Sequence, residues 1–179
     1  MAEDEVVIGE GCLVSEEADI QGNVRIGPGC IVHPCCTIVS QGGGAIIFGE
    51  DCVVEERAVI TNESSEDMLI GAGNLFEVGC CVRSAKIGDF NRFQPKCSIG
   101  PEVVVCDGCT VGAGLVLTGN ITAQSGTVLY YDSNEVDAFR VNIPPHNRNW
   151  NEANLEAYRQ AIANPKKKTY LGKHHRLKI

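Results

Sequence analysis

The sequence predicts an all-β chain that folds as one parallel β-helix, wound from six-residue repeats between about Ile8 and Leu129. An apolar residue recurs at every sixth position, and glycine follows it directly in seven repeats. Only 6% of the residues are aromatic, which suits a narrow interior of Val, Ile, Ala and Cys. A six-residue unit holds one short strand and a corner, and it cannot bury its apolar side alone. The coils must therefore stack.

The repeat is regular enough to predict where the coils depart from it. Its members are Ile8, Val14, Ile20, Ile26, Val32, Ile38, then Phe48, Val54, Ile60, then Ile70, Phe76, Val82, and finally Ile87, Phe93, Ile99, Val105, Val111 and Leu117, with Ala123 and Leu129 weaker. Two intervals of ten residues each predict four looped-out residues, one set around 42–44 and the other within 62–67. One interval of five predicts a tightened corner near Ser84.

Glycine and cysteine each occupy one slot of the repeat. The glycines directly after the repeating residue are Gly9, Gly27, Gly49, Gly71, Gly88, Gly100 and Gly112. This slot predicts a corner at which either φ is positive or no side chain fits. The cysteines four places after it are Cys12, Cys30, Cys36, Cys52, Cys80, Cys97 and Cys109. We expect them to be free, buried packing residues, and expect Cys35, Cys81 and Cys106, which lie off the register, to be the exposed or reactive ones.

The repeat ends near Tyr130, and the rest of the chain divides by composition. We predict a β-helix over 1–132, an extended connector over 133–150, an α-helix over 151–164 and a basic tail over 165–179. Pro144 and Pro145 favour extended backbone, Asn151 is a suitable N-cap, and Pro165 ends the helix. The apolar face of that helix, formed by Leu155, Tyr158 and Ile162, is predicted to pack along one side of the coils.

Charge argues against two classes of partner. All 23 acidic residues precede Pro165, whereas six of the 15 basic residues follow it, within a net charge of −8. An acidic body repels nucleic acid, so we predict none as a partner. The chain has no apolar run of about 20 residues, which argues against membrane insertion, and its acidic start is unlike a secretory signal. We therefore expect an intracellular protein with reduced thiols.

The repeat resembles the hexapeptide-repeat family, whose members wind three hexads per turn into a left-handed prism. The resemblance implies that hand, and it raises two enzymatic alternatives. The γ-class carbonic anhydrases of the family hold zinc with three histidines, but His33 is the only histidine within the coils. The acyltransferases use a histidine as general base. His33 precedes Pro34 and has no evident carboxylate partner in the sequence, so a corner role is favoured. We predict no catalytic residue, metal or cofactor.

Several stretches resemble the β-helical subunits of dynactin more closely. They are Val32-His33-Pro34, Phe48-Gly49-Glu50, Val54 to Ile60, Asn74 to Cys80, and Ile87 to Asn91. The resemblance implies a non-catalytic, cytoplasmic and cytoskeleton-associated scaffold. Such a subunit would lie in a hetero-oligomer at the pointed end of dynactin beside subunit 5, serving dynein-driven transport and cargo adaptation. A homotrimeric enzyme of the hexapeptide family, an acyltransferase or a γ-type carbonic anhydrase, is the alternative.

The partner-contact candidates fall in two regions of the sequence. The first contains an acidic corner and the Phe-Glu-Val stretch, and the second is the apolar face of the predicted helix. The candidates are Glu55, Glu56, Phe76, Glu77 and Val78, together with Leu155, Tyr158 and Ile162. For the acidic residues, a solvated surface is the simpler interpretation.

Overall fold

The computed structural model describes residues 5–132 and 135–140. Within them every regular element is a β-strand, and the strands are numbered β1 to β21 in chain order. The helix predicted over 151–164 and the basic tail lie outside the described residues, as does most of the predicted connector. The predicted parallel β-helix is confirmed, because each strand up to β20 pairs in parallel with strands of the neighbouring coils.

Three sheets form the sides of the coils, and every third strand belongs to the same sheet. Sheet 1 contains β1 Val6–Ile8, β4 Val24–Ile26, β7 Ile46–Phe48, β10 Met68–Ile70, β13 Lys86–Ile87, β16 Val104–Val105 and β19 Thr122–Ala123. Sheet 2 contains β2 Leu13–Val14, β5 Ile31–Val32, β8 Val53–Val54, β11 Leu75–Phe76, β14 Arg92–Phe93, β17 Thr110–Val111, β20 Thr127–Asp132 and β21 Glu135–Arg140. Sheet 3 contains β3 Asp19–Gln21, β6 Thr37–Ser40, β9 Val59–Asn62, β12 Cys81–Val82, β15 Ser98–Ile99 and β18 Val116–Leu117.

The register places each repeat residue against its own copy. Val14 pairs with Val32, eighteen positions later, and Val32 pairs with Val54, twenty-two positions later. The longer step contains one predicted insertion. The two inserted segments lie on each other, since Gly44 N–H donates to Ser64 O over 3.0 Å and the Asn62 amide donates to Gly44 O over 3.1 Å. Three hexads therefore form each coil.

The interior is a column of repeat residues from all three sheets, and three phenylalanines form an aromatic cluster within it. Phe76 and Phe93 stack with their ring centroids 4.9 Å apart and their planes 2° from parallel. Phe48 meets Phe76 edge-on at 6.2 Å and 80°. Phe76 and Phe93 are fully buried. Such a stack stabilises the folded state through both the burial of apolar surface and the favourable geometry of the rings.

The corner between sheets 1 and 2 is called corner 1. Glycine occupies its first slot because the backbones of successive coils approach each other closely there. A Cβ added at Gly27 would lie 2.4 Å from the Gly49 carbonyl oxygen, so no side chain fits there. Positive φ belongs to a residue two positions later, as at Gly29, where φ is 71°. Of the two explanations that the sequence left open, steric exclusion therefore accounts for Gly27, and left-handed backbone accounts for Gly29.

The C-terminal end of sheet 2 differs from the repeat. Strand β21 pairs antiparallel with β20, with Thr127 opposite Arg140 and Asp132 opposite Glu135. Part of the stretch predicted as connector therefore adds a strand to sheet 2. An antiparallel strand turns the chain back and covers the hydrogen-bonding edge of β20.

Replacing Phe76 with Ala should lower the free energy of unfolding by about 3–5 kcal/mol, because it removes the ring between Phe48 and Phe93 and leaves a cavity. Urea unfolding followed by circular dichroism measures the loss. Val116→Ala is the control, since Val116 is 50% exposed and its truncation should change stability by no more than about 0.5 kcal/mol. Equal losses in the two variants would contradict the predicted role of the stack.

Replacing Gly27 with Ala should lower the free energy of unfolding by about 3 kcal/mol, because its Cβ would overlap the backbone of the next coil. Gly100→Ala is the matched control in the same repeat slot, where the nearest atom to an added Cβ, the Leu117 oxygen, is 3.3 Å away. Thermal and urea unfolding should rank Gly27→Ala well below Gly100→Ala. A milder effect at Gly27 would refute steric exclusion as the reason for glycine.

Candidate interaction site at the acidic corner

The corner between sheets 2 and 3, called corner 2, contains most of the predicted site residues of the coils. Its first slot, directly after each sheet 2 strand, holds Ser15, His33, Glu55, Glu77 and Gln94 in successive coils. Stacking places these side chains in one column. The repeat therefore brings together residues that are about twenty positions apart in the chain.

Two side chains of this column are engaged with the backbone of the following coil. Glu55 Oε2 accepts a hydrogen bond from Val78 N–H over 3.0 Å, and Gln94 Oε1 accepts one from Ala113 N–H over 3.1 Å. A carboxylate that accepts from a backbone donor satisfies a corner N–H that would otherwise need water. Part of the acidic corner therefore joins one coil to the next.

His33 has a carboxylate partner, which corrects the expectation from the sequence. His33 Nδ1 lies 3.1 Å from Glu56 Oε1, and the side chains are 9% and 49% exposed respectively. Glu56 is placed there because it lies one position beyond Glu55, the residue that stacks on His33. Such a contact orients the imidazole ring. It also supplies the geometric element that a general base would need.

The structure separates the residues of the Phe-Glu-Val stretch. Phe76 is fully buried in the aromatic stack, so its place among the contact candidates is corrected to a core role. Glu77 is 9% exposed, and its carboxylate forms an ion pair with Arg92 Nε. Val78 is 39% exposed at the corner. Of this stretch, Val78 therefore presents the largest exposed apolar fraction to a partner.

Arg92 is a site residue that the sequence analysis missed. It occupies the outward position before Phe93, in register with Leu75 on the preceding coil. That outward position is aliphatic in the first four coils of sheet 2, where it holds Leu13, Ile31, Val53 and Leu75. The change from an aliphatic residue to arginine, one coil after Glu77, was the available signal.

The seven cysteines of the repeat are buried, as predicted, and all ten are free. Those of corner 1 are also donors: Cys12 Sγ donates to Gly27 O over 3.1 Å, and Cys30 Sγ donates to Gly49 O over 3.2 Å. Burial raises the pKa of Cys36 to about 12, which keeps that thiol protonated. Cys35 is exposed, and Cys81 and Cys106 are half-buried, as their off-register positions predicted.

Within residues 5–132 and 135–140, no three His, Cys, Asp or Glu side chains are grouped as a metal site would require. Nor does this part of the chain contain a helix of sufficient length and apolar character to cross a membrane. The outer candidates Leu155, Tyr158 and Ile162 lie beyond the described residues.

Known proteins resemble this chain at two levels. The family described as bacterial transferase hexapeptide (six repeats) matches residues 5–40. Dynactin subunit 6 of Nematostella vectensis is 37% identical over 70% of this chain and 74% of that protein. Dynactin subunit 6 of Dictyostelium discoideum is 33% identical over 84% of this chain and 80% of that protein. These two relatives match most of the chain and most of their own length.

Solved structures share the fold at lower identity. A hexapeptide transferase family protein from Anaplasma phagocytophilum superimposes with a TM-score of 0.64 at 19% identity, over 90% of this chain and 97% of that one. A UDP-N-acetylglucosamine acyltransferase from Campylobacter jejuni gives 0.61 at 12% identity, over 92% of this chain and 75% of that one. At these identities the likeness establishes the β-helical fold alone. It does not extend to function, because one fold hosts unrelated functions.

We predict that three of the ten thiols react with Ellman's reagent in the folded protein at pH 8 and that seven react only after unfolding. Cys35 should react first because it is exposed. Its neighbour Cys36 should not react in the folded protein, because burial raises its pKa and keeps it in the unreactive thiol form. Cys35→Ser should remove the fastest phase, and Cys36→Ser should leave it unchanged. The opposite pattern would show that exposure does not control reactivity here.

Proposed function

Because the chain belongs to the dynactin subunit 6 family, we propose that it is a non-catalytic scaffold subunit at the pointed end of dynactin. It lies there beside subunit 5, in a cytoplasmic, cytoskeleton-associated hetero-oligomer that supports dynein-driven transport and cargo adaptation. The identity to dynactin subunit 6 over most of both chains carries this proposal. Neither nucleic acid nor a membrane-inserted segment has a part in it.

The side chains of corner 2 support a scaffold role. Glu55 and Gln94 accept hydrogen bonds from backbone donors of the next coil, and Glu77 holds Arg92. These polar groups are thus engaged in joining the coils. The result is a rigid body with fixed faces, which is the property that an assembly subunit requires.

The contact candidates divide by their exposure and by their place in the chain. Glu55, Glu56 and Val78 form the exposed or half-exposed part of corner 2, and we assign partner contact to them. Glu77 contributes through Arg92, whose outward position it fixes. The apolar face of the helix predicted over 151–164, with Leu155, Tyr158 and Ile162, remains a second proposed contact.

A homotrimeric acyltransferase of the hexapeptide family is the second candidate function, and one observation favours it. The imidazole of His33 is oriented by Glu56, as a general base would be. A γ-type carbonic anhydrase would require zinc, and the described residues bring no three zinc-ligating side chains together. The two proposals differ in partner, oligomeric state and the consequence of losing His33.

Protein purified through a tag from native cells should bring subunit 5 and other pointed-end subunits of dynactin with it, at near-equal stoichiometry and without stoichiometric zinc. Mass spectrometry and elemental analysis measure both quantities. His33→Ala should assemble to the same extent as the wild type. A zinc-bearing homotrimer, or acyl transfer that His33→Ala abolishes, would replace the scaffold proposal with the enzymatic one.

A further inference from the structure

The outward face of sheet 1 differs in charge from the corners around it. Its seven strands contain no acidic residue, although the chain has 23. The adjoining corner 1 carries acids such as Glu50, Asp89 and Asp107. Two of these carboxylates already accept hydrogen bonds from backbone within the corner. Asp89 Oδ1 accepts from Ala72 N–H over 2.8 Å, and Asp107 Oδ1 accepts from Asp89 N–H over 2.9 Å. The face is therefore a non-acidic strip on an acidic body.

In the central part of this strip, two apolar residues lie between two cationic ones. Arg25, Ile47, Leu69 and Lys86 occupy the same outward slot on the consecutive strands β4, β7, β10 and β13. Val104 follows on β16. Arg25 and Lys86 are exposed, and neither forms an ion pair with a described residue. Two free cations thus border a pair of aliphatic side chains.

The large aliphatic residues on this face of sheet 1 are exposed or half-buried, whereas three of their equivalents on sheet 2 are buried. Leu69 is 48% exposed and Val7, at the other end of the strip, is 42% exposed. In the corresponding outward slot of sheet 2, Ile31, Val53 and Leu75 are between 0% and 6% exposed. Sheet 3 carries mostly smaller groups in that slot, among them Thr37, Cys81 and Ser98, although Val116 at its end is 50% exposed. What distinguishes sheet 1 is a pair of aliphatic groups on consecutive strands with an exposed cation on either side.

We propose that this strip, defined as Arg25, Ile47, Leu69, Lys86 and Val104, binds an acidic amphipathic helix of another protein, laid across the strands of sheet 1. The spacing of strands, about 4.8 Å, is close to the helical pitch of about 5.4 Å, so helix residues three or four apart fall on successive strands. Apolar residues one turn apart meet Ile47 and Leu69. Acidic residues one turn beyond each end reach Arg25 and Lys86, which lie roughly 14 Å apart, or three strand spacings.

The physical features of the strip favour a helix over other occupants. An added β-strand needs free backbone donors and acceptors, whereas β4, β7, β10 and β13 are paired on both sides within the sheet. A nucleic acid or an anionic membrane requires many cations, and here two cations are bordered by the acids of corner 1. An apolar centre with a cation at each end is complementary to a helix with the opposite arrangement.

The test uses the chain in its native complex, with a photo-crosslinking benzoylphenylalanine in place of Leu69. Co-purification of dynactin subunits is scored first, so failure of the proposed function is seen separately from failure of this inference. The crosslinked peptide is then sequenced. A segment with apolar residues at helical spacing, flanked by Asp or Glu, supports the proposal. Absence of a crosslink, a crosslink to lipid, to a second copy of this chain or to a segment without flanking acids overturns it.

Charge reversal supplies the second measurement. Arg25→Glu combined with Lys86→Glu should reduce the crosslink yield about tenfold, because two attractive contacts become repulsive. Arg83→Glu, an exposed reversal next to sheet 3, should leave the yield unchanged. Benzoylphenylalanine in place of Val116, which is 50% exposed on sheet 3, should not capture the same segment. An equal yield in the Arg25/Lys86 and Arg83 variants would overturn the role assigned to the two cations.

Discussion

Parallel pairing in register between successive coils is the constraint on which the rest of this structure depends. Each residue of a strand lies against the residue in the same slot of the coils above and below, as Val32 does between Val14 and Val54. A slot must therefore suit its own copy. This requirement produces the aliphatic column, the contacts of Phe48, Phe76 and Phe93 with one another, and the period of six in the sequence.

Corner 1 shows how this constraint selects residue types beyond hydrophobicity. The glycine slot brings one backbone so close to the next that a Cβ at Gly27 would overlap Gly49. The cysteine slot then fills the inside of the same corner with a small side chain whose S–H reaches the glycine carbonyl of the following coil, as Cys30 does at Gly49. In a later coil Asn74 occupies this slot instead of cysteine, and its side-chain amide donates to Gly88 O over 2.9 Å. The slot thus requires a small donor, which cysteine and asparagine both provide.

The same stacking sorts charge between corners and faces. Carboxylates at the corners accept from backbone N–H groups one coil away, as Glu55 does from Val78 and Asp107 does from Asp89. Those interactions leave sides whose outward residues are free to differ between sheets. Sheet 1 has two aliphatic residues between exposed cations, and sheet 3 has mostly smaller groups. Acyltransferases share this fold, whereas the sequence similarity that spans most of the chain at more than 30% identity is to dynactin subunit 6.

The sequence by itself determined the six-residue period of strands and corners, the two insertions and the burial of the seven in-register cysteines, because each depends only on spacing along the chain. It did not determine which side chains of different coils meet. The insertion between Ile38 and Phe48 sets Glu55 over His33 and Glu56 beside it, a neighbour that the period of six does not reveal. Phe76 shows the converse: its repeat slot already implied burial, and its motif suggested a surface role. Contact between coils depends on how many hexads form one coil and on which corner holds each insertion, and the tertiary structure shows both.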